Sequence, residues 1–372
     1  MKNVHIITRH FIPNYGSLLQ SISSIKIFED FGYESTIIDY VSTTETLLPQ
    51  NTHFAKKFSK NPIKRVIFWL AKLPDQILKR AKFHSFRNKY LKMTKRLSST
   101  KELREYDFSN SYLCSGSDQL WGYISDEKTI DSNYFLNFAK EGDVCFAYSS
   151  SFGRTDFPSE YFASLNEQLK KFSFITVREQ SGVELILTHT PYPAEHVLDP
   201  TLTVNPAFWQ EFANVEIKEK PYLLVYHLRR NKTLERYAKN LAKEKGWKMI
   251  RVSTSIYDLL KQGHCKLLAD PKKVLSIFKN AQCVVTDSFH ATVFSLIFNR
   301  QFVDVLPPTT HERITDLLSL VGLSDRAFAH NEAAPLEIAT TPIDYEKVNS
   351  ILEKARMDSL NTLSKNLEKL EK

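Results

Sequence analysis

Val4-His5-Ile6-Ile7-Thr8, the loop residues Pro13-Asn14-Tyr15-Gly16, the helical run over 17–31, Gly32, and Ser35-Thr36-Ile37-Ile38-Asp39 decide the fold. In order they read as a strand, a loop, a helix closed by a glycine C-cap, and a second strand. A strand, helix and strand joined this way need a crossover, and its fixed hand lays the two strands parallel in one sheet. Working outward, short apolar runs over 111–115, 144–148, 174–177 and 196–198 extend that sheet, and the first domain is expected to span 1–210. Pro221 precedes a fresh alternating series: strands over 222–227, 247–253, 283–286 and 302–305, with helices over 233–245, 271–279 and 290–298 between them. This second domain is expected over 220–335. Pro342 and an Asp344 cap then open a helix over 343–372, with Val348, Ile351, Leu352, Ala355, Leu360, Leu363 and Leu367 at helical spacing. The fold class is therefore α/β: two doubly wound, Rossmann-like domains facing a cleft, with a long C-terminal helix.

Composition agrees. A chain of 372 residues is long for one core and suits two. Its 42% hydrophobic and 25% charged shares are those of a packed globular protein. No apolar run approaches the roughly 18 residues needed to span a bilayer, and the N-terminus reads as a strand rather than a leader, so a cytoplasmic location is expected. Cys114, Cys145, Cys265 and Cys283 lack C-x-x-C spacing and read as free thiols of a reducing compartment, not as metal ligands.

The net charge of +8 is concentrated in one place, because residues 56–96 carry 14 lysines and arginines against the single acid Asp75. Val66, Ile67, Leu70, Leu73 and Ile77 fall near helical spacing there, giving a basic helical insertion over about 54–105 of the first domain. A solvated helical face is one reading. A surface attracted to anionic lipid headgroups at the inner face of the membrane is the other. Nucleic acid is disfavoured, since no binding signature accompanies the charge and Phe68, Trp69, Phe83 and Phe86 look like a packing face.

Ligands of doubly wound folds bind at strand carboxyl ends, and polar clusters follow most of the strands. The sharpest is Thr286-Asp287-Ser288-Phe289-His290-Ala291-Thr292, a strand running into a helix start that favours an anion. His290, with a reference pKa of about 6.5, can give or take a proton or pair with that anion. The bland alternative is a capped helix with a packed histidine. Asp118, beside Gly116 and Ser117, reads as a general base on a sugar hydroxyl or as an Asx-turn; Trp121 reads as a ring face for a sugar or as core. Arg178-Glu179 reads as a structural ion pair or as a cation source for a dianion. Arg229, Arg230 and Arg313 add cations on loops. No G-x-G-x-x-G, Walker, G-x-S-x-G, H-E-x-x-H or D-x-D pattern occurs, which removes the usual support for nicotinamide, P-loop, hydrolase and metal-dependent nucleotide-sugar chemistry.

Asn14-Tyr15-Gly16-Ser17-Leu18-Leu19-Gln20, Gly116-Ser117-Asp118-Gln119-Leu120-Trp121, Ala147-Tyr148-Ser149-Ser150-Ser151-Phe152-Gly153, Val177-Arg178-Glu179, Leu198-Asp199-Pro200 and Thr286 to Ser295 together resemble the polysaccharide pyruvyltransferase family. That resemblance implies a GT-B-like fold and transfer of pyruvate from phosphoenolpyruvate to a sugar of a surface polysaccharide or its lipid-linked precursor. The product is a cyclic ketal and phosphate is released. The resemblance places the family's C-terminal histidine at His290 and its Ser-Arg-Ile-like stretch at Glu312-Arg313-Ile314. With these, His290 and Asp118 are expected as catalytic residues, Arg313, Arg178, Ser288 and Thr292 as phosphoenolpyruvate ligands, and Asn14, Tyr15, Gln119, Trp121 and Ser150 as acceptor contacts. No metal and no cofactor is implied beyond the phosphoenolpyruvate donor. The chain departs from the family pattern at Ser288, where one branch has arginine, at Ala291, usually glycine, and at Gly122, where asparagine is common. A glycosyltransferase using a nucleotide sugar and a non-catalytic glycan-binding relative are the rival readings.

Overall fold

The computed structural model describes residues 2–41, 62–123, 130–219, 221–229, 231–308, 311–332 and 334–371. The first domain runs β1 (Asn3–Ile7), α1 (Tyr15–Asp30), β2 (Glu34–Ile37), α2 (Pro62–Tyr90), α3 (Thr100–Glu105), β3 (Ser111–Ser115), β4 (Asp118–Gln119), β5 (Val144–Ser151), α4 (Ser159–Leu169), β6 (Phe172–Val177), α5 (Gln180–His189), β7 (Glu195–His196), α6 (Pro200–Thr203) and α7 (Pro206–Phe212). The second runs β8 (Tyr222–Tyr226), α8 (Lys232–Lys245), β9 (Lys248–Ser253), β10 (His264–Leu267), α9 (Pro271–Asn280), β11 (Cys283–Thr286), α10 (Phe289–Ile297), β12 (Gln301–Leu306), α11 (Glu312–Leu320) and β13 (Ala327–Ala329). Helix α12 (Tyr345–Leu370) follows both.

Every named strand pairing is parallel. The first sheet has the order β2-β1-β3-β5-β6-β7, with β4 on β5, and the second β10-β9-β8-β11-β12-β13. In both, the chain leaves the middle of the sheet in one direction and later returns to grow the other side. The strand ends beside that reversal form the crevice. Central strands such as β11, Cys-Val-Val-Thr, are buried along their whole length because helices cover both faces.

Helix α1 is buried along most of its length, so its serines must bond within the helix. Ser21, Ser23 and Ser24 donate to the carbonyls of Ser17, Leu19 and Gln20. Asn14 caps the helix by accepting from the Gly16 amide at 2.8 Å.

The basic insertion is a strut between the domains. Phe83 and Phe86 of α2 pack against Tyr15, while Lys89 and Tyr90 bond Asp270 of the second domain at 2.9 and 2.7 Å. Asp75, the lone acid of the stretch, is buried, pairs with Lys79 and accepts from the Ile256 amide at 2.9 Å. Of the apolar residues at helical spacing in the insertion, Val66, Ile67, Leu70 and Ile77 point to solvent and Leu73 is half-buried. The part of the insertion over 54–61 and the side chains of Phe68 and Trp69 lie outside what is described.

Helix α12 starts on the second domain, where Tyr345 bonds the Arg300 carbonyl, and ends on the first. There Ser359 accepts from the Leu198 amide at 2.9 Å, Asn366 donates to Glu195 at 2.7 Å and Glu371 accepts from Tyr33 at 2.8 Å. Strands β4, β10 and β13 and helices α4, α5, α6, α7 and α11 are additions to the elements read from sequence. All four cysteines are free thiols, three of them buried. No helix among the described residues is long and apolar enough to cross a membrane.

Candidate functional site

Strand β11 delivers His290 to the cleft. Thr286 accepts from the Ser288 amide at 3.0 Å, Asp287 accepts from the Leu228 amide at 2.8 Å, and the turn so fixed starts α10. The imidazole then lies flat against the first turn of α1, in space that exists because residue 16 is glycine. A Cβ there would sit 2.2 Å from Nδ1 of His290. Its Nε2 is 3.7 Å from Asp199 Oδ2, an ion-pair distance too long for a hydrogen bond, and is buried without a hydrogen-bond partner.

Across the cleft Arg178 leaves the end of β6 fully buried. Its Nη1 donates to Asp199 at 2.6 Å and its Nη2 lies 3.5 Å from Asp118. Glu179 points back, accepting from Ser151 and the amides of Phe152 and Gly153 at 2.8, 2.8 and 3.2 Å. Arg313 on α11 and Arg178 flank the ring of Phe289, each guanidinium carbon 5.2 Å from its centroid. The Nε atoms of both arginines are buried and, like His290 Nε2, make no hydrogen bond among the described residues, Arg178 Nε lying 3.8 Å from Glu179 Oε2.

Burial alone would raise the Asp118 carboxyl. Arg178, His290, the Ser17 hydroxyl and Arg313 overcome it and hold it down at about 2. Asp199 is likewise pushed up by burial and held well below the ordinary carboxylate range by His290 and Arg178. Burial, then the neighbouring Arg178, lowers Arg313 to about 10, so it stays charged at neutral pH. Arg178, paired with carboxylates, moves up despite its burial.

Of the residues singled out from sequence, the structure brings His290, Asp118, Arg178 and Arg313 together. Against the pull of burial, Arg178, His290 and Arg313 hold the Asp118 carboxyl ionised, which weakens it as a proton acceptor and favours the charge-partner or acceptor-ligand role over that of a general base. Its left-handed backbone, φ +86°, and the 2.6 Å bond from Ser17 fix it as a charge partner of Arg178.

Four other expectations need correction. Trp121 is fully buried, stacked between Phe135 and Phe172 with its indole donating to Ser115, so neither ring face is open to a sugar. Ser150 is buried and spends its hydroxyl on the carbonyls of Ser115 and Gly116. Thr292 is buried and faces Asp304 at 3.0 Å, anchoring α10 to β12 rather than an anion. Tyr15 bridges the domains by donating to the Ala269 carbonyl at 2.7 Å. Gln119 covers Gly153, Asn14 borders an open cavity, and Ser288 caps α10 without a side-chain bond. Gly122 is explained: a Cβ there would lie 2.4 Å from the Phe152 carbonyl oxygen, so asparagine cannot occupy this backbone.

Asp199, the hub of the cluster, appears in the sequence as a polar residue after a strand and within one block of the resemblance, which attach no role to it. The alternative of a capped helix would make Asp287 the cap, but the N-cap position of α10 is Ser288. Asp287 is buried, its carboxyl raised by that burial, with Oδ2 unpartnered.

Two parallel α/β domains, a cleft lined from both and a terminal helix crossing back define the GT-B fold. Three solved structures share it at a TM-score of 0.50. MnaA of S. aureus, solved with UDP, is 10% identical over 97% of this chain and 90% of its own. The UDP-GlcNAc 2-epimerase of Methanocaldococcus jannaschii is 13% identical over 95% and 93%, and that of Neisseria meningitidis 9% over 99% and 100%. No curated protein matches the sequence. Within this fold the chain belongs to the polysaccharide pyruvyl transferase family, whose model matches residues 14–307.

Proposed function

We propose that the protein moves pyruvate from phosphoenolpyruvate to a saccharide of a surface polysaccharide or its precursor, closing a cyclic ketal and releasing phosphate. One observation carries the site assignment. Three buried nitrogens, His290 Nε2, Arg178 Nε and Arg313 Nε, make no hydrogen bond among the described residues. At these atoms His290 and Arg178 have only longer ion pairs, to Asp199 and Glu179, and all three belong to residues that converge on one cleft. Orphaned donors of this kind are costly unless an anion meets them.

In this reading a proton reaches the methylene carbon of phosphoenolpyruvate, C2 becomes cationic, and a sugar hydroxyl adds there and gives up its proton. The C2–O bond to phosphate breaks, and a second hydroxyl adds to C2 and loses its proton as the ring closes. His290 is the proton carrier or phosphate ligand, and Arg313 is the principal anion clamp. Arg178 contributes Nε while its other nitrogens hold Asp118 and Asp199 in place. No redox step occurs. The bilayer reading of α2 belongs here too: its outward apolar side chains support peripheral contact with a membrane.

The test is phosphate release from phosphoenolpyruvate in the presence of a panel of glycans. Wild type releases phosphate with at least one acceptor, and His290→Ala loses about two to four orders of magnitude of rate. Full activity in that variant removes the assignment. Stabilisation by a nucleoside diphosphate but not by phosphoenolpyruvate would favour a glycosyltransferase.

A further inference from the structure

Two cavities lie near the site. The larger, about 940 Å³, opens between α2 and α8. The smaller, about 210 Å³, lies between α5 of the first domain and α11 of the second, with Arg178, Phe289 and Arg313 on its walls. The two arginines of this smaller cavity are held in different ways. Arg178 is fixed by its own ion pairs to Asp199 and Asp118, at 2.6 and 3.5 Å. Arg313 makes no hydrogen bond or ion pair among the described residues, and its guanidinium rests on the ring of Phe289. Its position is therefore set by where α11 lies.

Asp316 ties that helix down. It stands three residues after Arg313 and accepts from the Ser181 hydroxyl, across the domain boundary, at 3.2 Å. Arg313, Asp316, Leu317 and Leu320 follow helical spacing and form the stripe that α11 turns to the cavity. Ser181 is in the first turn of α5, where backbone amides have no partner within the helix. The N-cap residue Glu179 does not serve them, because its carboxylate is turned back to Ser151, Phe152 and Gly153. The Asp316 carboxylate takes that place from the other domain, where it also suits the positive end of the helix dipole. Burial raises the Asp316 carboxyl, and the Ser181 hydroxyl and amide, which favour its charged form, oppose that rise.

We propose that Asp316 is a positioning residue: by capping α5 from the second domain it latches α11 across the cleft and so holds Arg313 in place for an anion. A chain without the latch must find that arrangement on binding. Its apparent affinity falls with the fraction of molecules already arranged, while its rate at saturation holds, because the bound anion restores the arrangement. The choice of phosphoenolpyruvate as that anion rests on the pyruvyl-transfer reading; the latch itself does not.

Calorimetric titration of the full chain with phosphoenolpyruvate, the kinetics of phosphate release and hydrogen exchange test the proposal on Asp316→Ala and Asp316→Asn. Asp316→Ala is expected to weaken phosphoenolpyruvate binding and raise its KM by about tenfold, with kcat within about twofold of wild type. Asp316→Asn, whose side-chain oxygen still accepts from Ser181, is expected to stay within about threefold of wild type in both affinity and KM. In Asp316→Ala, exchange at the Ser181 amide is expected to quicken while the amides of β11 keep their protection, the sign of an intact core. Unchanged affinity in Asp316→Ala, a loss confined to kcat, or equal damage by alanine and asparagine overturns the positioning role. Unchanged exchange at Ser181 overturns the latch. Should wild type fail to bind phosphoenolpyruvate, the proposed reaction falls, and exchange at Ser181 still decides whether Asp316 caps α5.

Discussion

The His290 cluster and the α2–α8 cavity are both rich in charge, yet they handle it in opposite ways. In the cluster Arg178 is fully enclosed and each of its Nη nitrogens faces a carboxylate, so its charge is committed to holding three segments of the first domain, those carrying Asp118, Arg178 and Asp199, in register. In the cavity between α2 and α8 the exposed row Lys232, Arg236 and Lys239 has no acidic partner among the described residues, faces water and keeps its hydration. Burial makes the first set interdependent and rigid; exposure leaves the second set independent and available to a ligand. Substitutions should therefore threaten the fold in one region and binding in the other.

The sharpest way to break that contrast is Arg178→Ala. It strands Asp118 and Asp199 in a desolvated site, and a loss of about 3–5 kcal/mol in denaturant-measured stability is expected. A loss under 1 kcal/mol would show the cluster to be wetter than its burial implies. Thr292→Val comes next: it removes the only side chain bonded to buried Asp304 among the described residues, with an expected cost of about 1–3 kcal/mol by thermal melting. Acid titration sharpens the contrast from the carboxylate side. The folded pKa of Asp118, about 2, lies below the unfolded value near 3.9, so its stabilisation is complete above pH ~4 and lost as pH falls through 2. Its contribution is about 2 kcal/mol, and Asp118→Asn should flatten the stability profile in that window. Lys239→Ala, at the exposed extreme, should change stability by less than about 0.5 kcal/mol.

Much of the fold was legible because its strands are short, apolar and separated by well-capped helices. Strands β3 and β11 fall on the residues expected from sequence, and the others among those expected differ by only a few residues at their ends. Strands β10 and β13 were invisible: His264-Cys265-Lys266-Leu267 and Ala327-Phe328-Ala329 lie at sheet edges, where neither continuous burial nor clear alternation leaves a pattern. Residue types at strand ends pointed to His290, Asp118 and Arg178, and the resemblance added Arg313; the structure gathers these four side chains into one cluster. Depth was not legible. Trp121 and Ser150 follow the same strands as functional residues do, and only packing shows that their polar groups are spent within the protein. Nor could sequence show that Gly16 is the seat of the imidazole, since that contact joins residues 274 positions apart.

The return of α12 to the first domain bears on how the chain comes to be folded during synthesis. Domains generally form as they emerge from the ribosome, N-terminal first. Here Val197, Leu198 and Leu202 belong to a core that also takes in Leu363 and Leu367. The first domain therefore waits, with an apolar flank open, while all of the second is translated. That interval, rather than the finished protein, is where chaperone dependence should concentrate.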